Sequence, residues 1–371
     1  MTKMVRVGLI GANPEGGWAR DSHVPALRLL PGFELAAVGG KTQQSADAAA
    51  RAFGVSKAYG QAADLFGDPD IDLVTVAVTL PAHRALLSGA LAAGKHVYCE
   101  YPLGLDVQES GELAEEARVA GVHAAIGLQT RANPAVRQAR SLLGAGAIGR
   151  PLSASIVSTT AGFGPSTPPA VAYTEDPATG VNLLTIQTAH TVDLAIALLG
   201  GLADLSALAS TQFPEITIGD GSPQKRRIFD HVLLQGRLMS GAPLAVEVAG
   251  GRPAPTPFRF EIVGETGSIA LVGGAPRGFQ SGRLRLLLNG EPQAIDKGEL
   301  AHLPDAALNV GATYAQLRDD IAAGTSTAAG FPHAVRLARL IADATDSART
   351  GQRHTARDWP SEMLPDGHGR N

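Results

Sequence analysis

Short apolar runs and helical patterns alternate along the first third of the chain. Val5 to Ile10 is an apolar run ending in glycine, followed by a Gly/Asn/Pro-rich turn and a helical pattern through His23, Ala26 and Leu29. Leu35 to Val38 reads as a second strand, and Ser45 to Phe53 as an alanine-rich helix. Asp72 to Val78, His96 to Cys99 and Ala124 to Leu128 read as further strands, separated by helices His83 to Ala93 and Gln108 to Ala120. Strands alternating with helices of this length predict right-handed crossovers and a doubly wound parallel sheet. After about residue 130 the grammar changes. A helix from Pro134 to Leu143 and another from Leu183 to Leu199 accompany strand-like segments at 152–158, 203–211, 231–239, 244–249, 258–263, 268–272 and 283–288. Short Gly-containing connections between them predict a large, mostly antiparallel sheet that buries one face and leaves the other open. Two helices, Val310 to Ala323 and His333 to Arg349, precede a polar tail. The expected fold class is α/β, with domains at 1–128 and 129–371.

Composition narrows the function classes. The 371 residues are 44% hydrophobic and 18% charged, with a formal net charge of -4, so nothing marks the chain as disordered or as a nucleic-acid binder. The compact basic run Lys225-Arg226-Arg227 reads as a solvated loop. A single cysteine, Cys99, in an apolar strand reads as a packed thiol and excludes an internal disulfide. No separate apolar segment precedes the first strand, and no stretch reads as the ~20 apolar residues of a membrane span. The expected location is the cytoplasm, with no membrane or nucleic-acid partner. The ten histidines form no H-E-x-x-H or Cys/His cluster, so no metal site is expected, and no G-x-S-x-G elbow follows a strand.

The turn Gly11-Ala12-Asn13-Pro14-Glu15-Gly16-Gly17-Trp18 follows a strand and opens a helix. That is the setting in which backbone N–H groups at a helix N-terminus hold a pyrophosphate. Asn13 stands where a dinucleotide fingerprint has its second glycine, and it tolerates a left-handed backbone better than other non-glycine residues. The alternative is a tight turn with no ligand. At the end of the second strand, Gly39-Gly40-Lys41-Thr42 carries no carboxylate for a ribose 2′-OH. Lys41 and the Thr42 hydroxyl suit a 2′-phosphate instead, which favours NADP over NAD; alternatively Lys41 is an ordinary surface lysine.

A family resemblance rests on Thr79-Leu80-Pro81-Ala82-His83, Gly94-Lys95-His96-Val97, Glu100-Tyr101-Pro102-Leu103, Arg131-Ala132-Asn133-Pro134 and His190-Thr191-Val192-Asp193. It extends to Phe331-Pro332-His333-Ala334 and so covers nearly the whole chain. These segments resemble the glucose–fructose oxidoreductase/inositol dehydrogenase/rhizopine-catabolism (Gfo/Idh/MocA) family. The resemblance implies an N-terminal Rossmann domain for a nicotinamide cofactor and a C-terminal domain for substrate binding and oligomerisation. Gly11, Asn13, Gly17 and Trp18 would form the pyrophosphate turn. Thr79, Leu80, His83 and Gln129 would lie along the cofactor, with Glu100 and Pro102 near the nicotinamide ribose. Arg131 and Asp193 would contact substrate.

Two positions depart from the family pattern. The usual Glu-Lys-Pro triplet, whose lysine handles the proton, is Glu100-Tyr101-Pro102, and Ile186 replaces the aspartate four residues before His190. Gly180-Val181-Asn182-Leu183, Asp230-His231-Val232-Leu233 and Gly250-Gly251-Arg252 resemble a branch containing the yeast galactose-regulon repressor, a dinucleotide-binding regulator. Glu-Tyr-Pro also resembles the triplet of biliverdin reductase, an active member. Tyr101, with an ordinary pKa near 10, either serves as general acid to a carbonyl, worth roughly 10²–10⁴-fold, or only packs on the nicotinamide. His190 is a second proton-transfer candidate, and Asp193, three residues on, shares its helix face. The leading expectation is an NADP(H)-dependent oxidoreductase acting on a sugar, cyclitol or related molecule, with NAD as second cofactor. The rival is a catalytically weak or inactive NADP-binding sensor. A homodimer or homotetramer through the C-terminal sheet is expected.

Overall fold

The computed structural model describes residues 4–254 and 256–355. The chain divides into two units, one made of residues 1–133 and 296–335, the other of 134–295 and 336–371. This differs from the expected cut at 128/129 with everything beyond it in one domain. The segment 296–335 returns to the first unit, because one face of its helix completes that unit's core.

In the first unit, strands β1 (Val5–Ile10), β2 (Phe33–Gly39), β3 (Lys57–Tyr59), β4 (Leu73–Val76), β5 (His96–Cys99) and β6 (Ala124–Ile126) alternate with helices α1 (Val24–Leu29), α2 (Gln43–Ala52), α3 (Ala62–Gly67), α4 (His83–Ala92) and α5 (Val107–Ala120). The strands form a wholly parallel sheet in the order β3-β2-β1-β4-β5-β6. This is the doubly wound topology that the alternation predicts, with its order reversing between β1 and β4. Helix ends follow local chemistry: Thr42 caps α2 in a reciprocal capping box with Ser45, and Asp106 caps α5 through the Glu109 amide. β3 and α3 are not anticipated by the hydrophobic pattern, since β3 has no fully buried residue. Val5, Val7, Leu73 and Tyr98 from the strands pack with Ala26, Leu27 and Leu30 from α1. Leu308, Val310, Tyr314 and Leu317 of α8 (Asp305–Ala323) complete this cluster. Burying each such side chain stabilises the fold by about 1.5–3 kcal/mol.

The second unit contains α6 (Pro134–Gly144), β7 (Pro151–Thr159), β8 (Ser166–Thr167), α7 (Ala189–Leu199), β9 (Leu202–Ser210), β10 (Glu215–Ile218) and β11 (Gln224–Lys225). It continues through β12 (His231–Leu238), β13 (Pro243–Ala249), β14 (Phe258–Gly264), β15 (Ser268–Gly273), β16 (Leu284–Leu288), β17 (Glu291–Pro292) and β18 (His354–Thr355). The last helix, α9 (Phe331–Thr350), belongs to the first unit up to Val335 and to the second beyond it. The main sheet runs β17-β16-β15-β14-β7-β13-β12-β9-β18. It is antiparallel except where β7 and β13 pair in parallel. Strict alternation, as in β12 and β14, sends Val232, Leu234, Phe258, Phe260 and Ile262 into the core, where Phe258 stacks on Phe279 with centroids 4.2 Å apart. α6 and α7 pack on this sheet. The opposite face exposes Leu208, Leu233, Val157 and Val263.

Two expectations are corrected in this unit. Arg226 is not part of a solvated loop: its side chain is wholly buried and bonds Glu175, Asp230 and the carbonyls of Phe163 and Gly164. The stretch Pro177–Leu199 does have the length and hydropathy of a membrane span, yet two-thirds of that window (67%) is buried within the protein. Its apolarity is accounted for by packing.

Candidate functional site

The strand order reverses between β1 and β4, and open α/β sheets bind ligands beyond the carboxyl ends of the strands at such a point. The turn after β1 lies at this end. Gly11 has φ +101°, and a Cβ there would stand 2.4 Å from the Ala77 carbonyl oxygen and 2.8 Å from Val78 Cγ1. Only glycine lets the β1 and β4 ends approach this closely. Asn13 does not adopt the expected left-handed backbone. Instead its Oδ1 accepts the Glu15 N–H at 3.0 Å, and Gly17, at φ +112°, supplies the reversal. Trp18 follows, its indole Nε1 buried and without a partner, and a π-helical turn from Ala19 to His23 leads into α1.

At the end of β2, Gly40 is forced by its neighbour: a Cβ would meet Ser45 Oγ at 2.5 Å. Lys41 is exposed. The Thr42 hydroxyl accepts the Ser45 amide at 3.2 Å, so it serves α2 first as a cap. No carboxylate stands here, and the α2 N-terminus adds its positive dipole end beside Lys41.

After β4, Thr79 is exposed and Leu80 buried. His83, expected along a cofactor, has both ring nitrogens engaged by backbone carbonyls. It is 2% exposed, with Nδ1 3.0 Å from the Pro102 carbonyl and Nε2 3.1 Å from that of Val78. Burial holds its pKa below the ordinary histidine value. His83 therefore braces the two loops and has no ring nitrogen to offer a ligand. Cys99 is likewise inert: its thiol lies 3.3 Å from His83 Nδ1 and donates to the Glu100 carbonyl, and burial pushes its pKa up.

Past β5, the Glu100 amide bonds the Val76 carbonyl at 3.0 Å, extending the sheet by one step, and Tyr101–Pro102 is a cis peptide. Tyr101 is 7% exposed. The Glu100 carboxylate lies 3.0 Å from His23 Nε2, and His23 Nδ1 lies 2.9 Å from the Tyr314 hydroxyl, which also meets Thr75 Oγ1 at 2.8 Å. Beyond β6, Gly127 is pressed by Glu100, whose Oε1 would be 2.8 Å from a Cβ. Gln129 and Thr130 follow, both 2% exposed, and Gln129 Oε1 and Thr130 Oγ1 have no partner. Arg131 is half-buried with Nη1 3.1 Å from His333 Nε2.

Buried polar atoms ordinarily find partners. Here the unpartnered Trp18, Gln129 and Thr130 atoms belong to the segments that follow β1 and β6, at the same end of the sheet as the Gly11 turn. That donor and acceptor set fits a polar nucleotide cofactor. Gly11, Asn13, Gly17, Trp18, Thr79, Leu80, Glu100, Tyr101, Pro102, Gln129 and Arg131 are thus all on loops at one edge of the first unit.

His190 and Asp193 belong to the second unit. They occupy the start of α7, 6% and 2% exposed, directly after a π-helical turn from Leu184 to Thr188 that contains Ile186. In that turn Gln187 donates to the Arg277 carbonyl at 3.0 Å while its Oε1 is buried without a partner.

The family described as the oxidoreductase family with an NAD-binding Rossmann fold matches residues 5–128, and the Gal80p C-terminal domain family matches residues 134–273. Dehydrogenase aclE of Aspergillus oryzae is 30% identical over 286 residues, 74% of this chain and 78% of that protein. The chain belongs to the Gfo/Idh/MocA oxidoreductase family. Within this family it is also similar to the galactose/lactose metabolism regulatory protein GAL80 of Saccharomyces cerevisiae, at 25% identity over 73% of this chain and 67% of that protein. Two solved structures, each 22% identical, share the Gfo/Idh/MocA fold. A super-repressor mutant of Gal80p from Saccharomyces cerevisiae has a TM-score of 0.85, covering 95% of this chain and 98% of its own. A levoglucosan dehydrogenase in complex with NADH and L-sorbose has a TM-score of 0.79, covering 95% and 99%. His23, Thr75 and Tyr314 escape a reading of the sequence, because the bonds that make them one set join residues 77 to 291 positions apart.

Proposed function

We propose that this Gfo/Idh/MocA member is an NADP(H)-dependent oxidoreductase acting on a hydroxyl or carbonyl carbon of a sugar, cyclitol or related small molecule. The observation that carries the reading is the glycine-shaped strand ends with unpartnered buried polar atoms, joined to a β2 end bearing Lys41 and no carboxylate. The nicotinamide, when bound, supplies the hydride acceptor or donor. The first unit's loops hold and orient it: the Gly11–Gly17 turn offers backbone N–H groups, Gln129 offers an amide, and Lys41 with the α2 N-terminus offers positive charge to a 2′-phosphate. Tyr101 gives a proton to the substrate oxygen in reduction and takes it back in oxidation, and His190 is the second candidate for that step. Named sugar and cyclitol dehydrogenases among the relatives, such as the inositol 2-dehydrogenase of Acidothermus cellulolyticus, 28% identical over 74% of each chain, support the substrate class.

Fluorescence titration with NADPH and NADH is the test. We expect tighter binding of NADPH, and Lys41→Ala to reduce the NADPH/NADH preference by roughly three- to tenfold, the size of one partly exposed charge contact. An unchanged ratio refutes the cofactor assignment, and no binding of either refutes the whole reading.

A second reading, a cofactor-binding regulator, is favoured by Tyr101 and Ile186 in place of the family's lysine and aspartate and by the Gal80p-type second unit. Turnover of NADPH with any polyol or carbonyl substrate discards it. We also propose a homodimer through the open sheet face, where Leu233 pairs across strands with Leu208 and both are exposed, 44% and 58%.

A further inference from the structure

The polar side chains beneath Glu100 form a chain of donors running through the core of the first unit. Thr75 is the one polar residue of β4, and Tyr314 comes from α8, 239 residues later. His23 and Tyr314 are both 0% exposed, and Tyr98 walls them in with ring centroids 5.3 and 4.9 Å away. A carboxylate only accepts, so His23 Nε2 carries a proton and donates to Glu100 Oε1. Burial keeps the Tyr314 hydroxyl protonated well above its ordinary pKa. With a neutral imidazole every donor then points one way: Thr75 to Tyr314, Tyr314 to His23 Nδ1, and His23 to Glu100. Such a chain polarises each successive hydrogen bond in a low-dielectric interior. It ends on the one member with solvent access, the Glu100 side chain, which is 15% exposed.

We propose that His23 is a positioning residue: with Tyr314 and Thr75 behind it, it fixes the Glu100 carboxylate as the acceptor for a hydroxyl of the bound cofactor's ribose. The inference rests on the cofactor reading above. It explains why three polar groups are buried at the cost of their hydration, and why residue 127 is glycine, since a Cβ there would press on Glu100 Oε1 at 2.8 Å.

The experiment is a double-mutant cycle on cofactor dissociation constants. Tyr314→Phe keeps the ring and removes only the hydroxyl that orients the imidazole. Glu100→Gln keeps the shape and removes the charge. We expect Glu100→Gln to weaken NADPH binding about tenfold or more, Tyr314→Phe by about threefold, and Tyr314→Phe to have no further effect in the Glu100→Gln background. A purely structural Tyr314 would lower Tm and change affinity by the same factor in both backgrounds, which overturns the proposal, as does an unchanged affinity in Tyr314→Phe. Nitrogen-15 NMR of the imidazoles, with His23 assigned by its loss in His23→Asn, gives a readout free of cofactor. An Nε2-protonated His23 is expected, and an Nδ1-protonated one with cofactor binding intact sinks this inference alone. Failure of the wild-type protein to bind either nicotinamide cofactor sinks both readings together.

Discussion

Replacing Arg226 with Met tests the second unit's polar core. The guanidinium donates five hydrogen bonds: two to Glu175 at 2.9 and 2.8 Å, one to Asp230 at 2.8 Å, and one each to the carbonyls of Phe163 and Gly164 at 2.8 Å. The side chains are 0%, 5% and 1% exposed for Arg226, Glu175 and Asp230. Removing the cation leaves two buried carboxylates facing one another's charge and two carbonyls unpaired. Breaking a buried pair from one side costs about 3–5 kcal/mol, because the surviving charge has lost both water and partner. Asp230 keeps the amides of Gln212 and Phe213 at 2.7 and 2.9 Å, so the stranded charge is mainly that of Glu175. We therefore expect about 3–4 kcal/mol from Arg226→Met, read as a lower urea midpoint, a large share of a typical domain's 5–15 kcal/mol. Hydrogen exchange should rise first across 163–176, which the guanidinium ties to Asp230, the residue before β12. Neutralising Glu175 as well, in Arg226→Met/Glu175→Gln, should return a substantial part of the loss. A loss below about 1 kcal/mol in the single variant, or a double variant no better than the single, refutes the reasoning.

Three further outcomes are expected. Tyr101→Phe should cut kcat by roughly 10²-fold while leaving the cofactor dissociation constant unchanged, and His190→Ala should cut it further if the histidine handles the proton; an unaffected kcat in both assigns these residues to packing. Asp68 accepts from Lys57 Nζ and the Tyr59 hydroxyl, both at 2.7 Å, and the Lys57 bond is the main reason its pKa falls to about 2. Its contribution to stability is present above the unfolded carboxylate value near 4 and lost as pH falls through about 2, so Asp68→Asn should flatten the Tm-versus-pH slope in that window; an unchanged slope rejects the assignment. If the proposed homodimer forms through the open sheet face, light scattering should show a dimer for the wild type and a monomer for Leu233→Glu, because a charge is placed where two apolar surfaces would meet; a wild-type monomer, or a dimer unchanged by Leu233→Glu, excludes that face.

The long strands of the two large sheets and most of the helices were legible because period-two and period-3.6 patterns report burial directly, and segments such as 96–99 fall where that pattern puts them, whereas the two- to four-residue strands β8, β10, β11, β17 and β18 are too short to show a period. β3 was not, since Lys57, Ala58 and Tyr59 are only half-buried at a sheet edge. The return of 296–335 to the first unit was invisible for a different reason. An apolar helix face states that it is buried, not in which core. Arg226 misled for the same reason: Lys225, Arg226 and Arg227 look alike in a row, and the partner that decides the matter, Glu175, is 51 residues away. The glycine positions were the reverse case, because Gly11 records a close backbone approach that the motif already implied.

The site itself divides along this line. The segments proposed to bind a nucleotide are local in sequence: a glycine turn, a strand end without a carboxylate, a triplet after β5. What orients those groups is not. Glu100 is set by His23, Thr75 and Tyr314, which lie 77 and 291 residues apart along the chain of bonds from Glu100 to His23 and from His23 to Tyr314. The same division separates the two functional readings. A dehydrogenase and a cofactor-binding regulator need the same cradle, so neither the glycine turn nor Lys41 distinguishes them. The difference lies in proton handling, where a phenol at 101 replaces an amine. A lysine ammonium releases its proton near pH 10 only when exposed and far lower when buried, whereas burial moves a phenol upward. A catalytic Tyr101 would therefore need a cation beside it to bring its phenolate into range, which an oxidised nicotinamide would supply; Tyr101 would then accept a proton as phenolate in alcohol oxidation and donate one as phenol in carbonyl reduction. On this argument alcohol oxidation should show an acidic limb in its pH profile that carbonyl reduction lacks, and a protein that binds the cofactor with no such limb in either direction is reading the cofactor without using it.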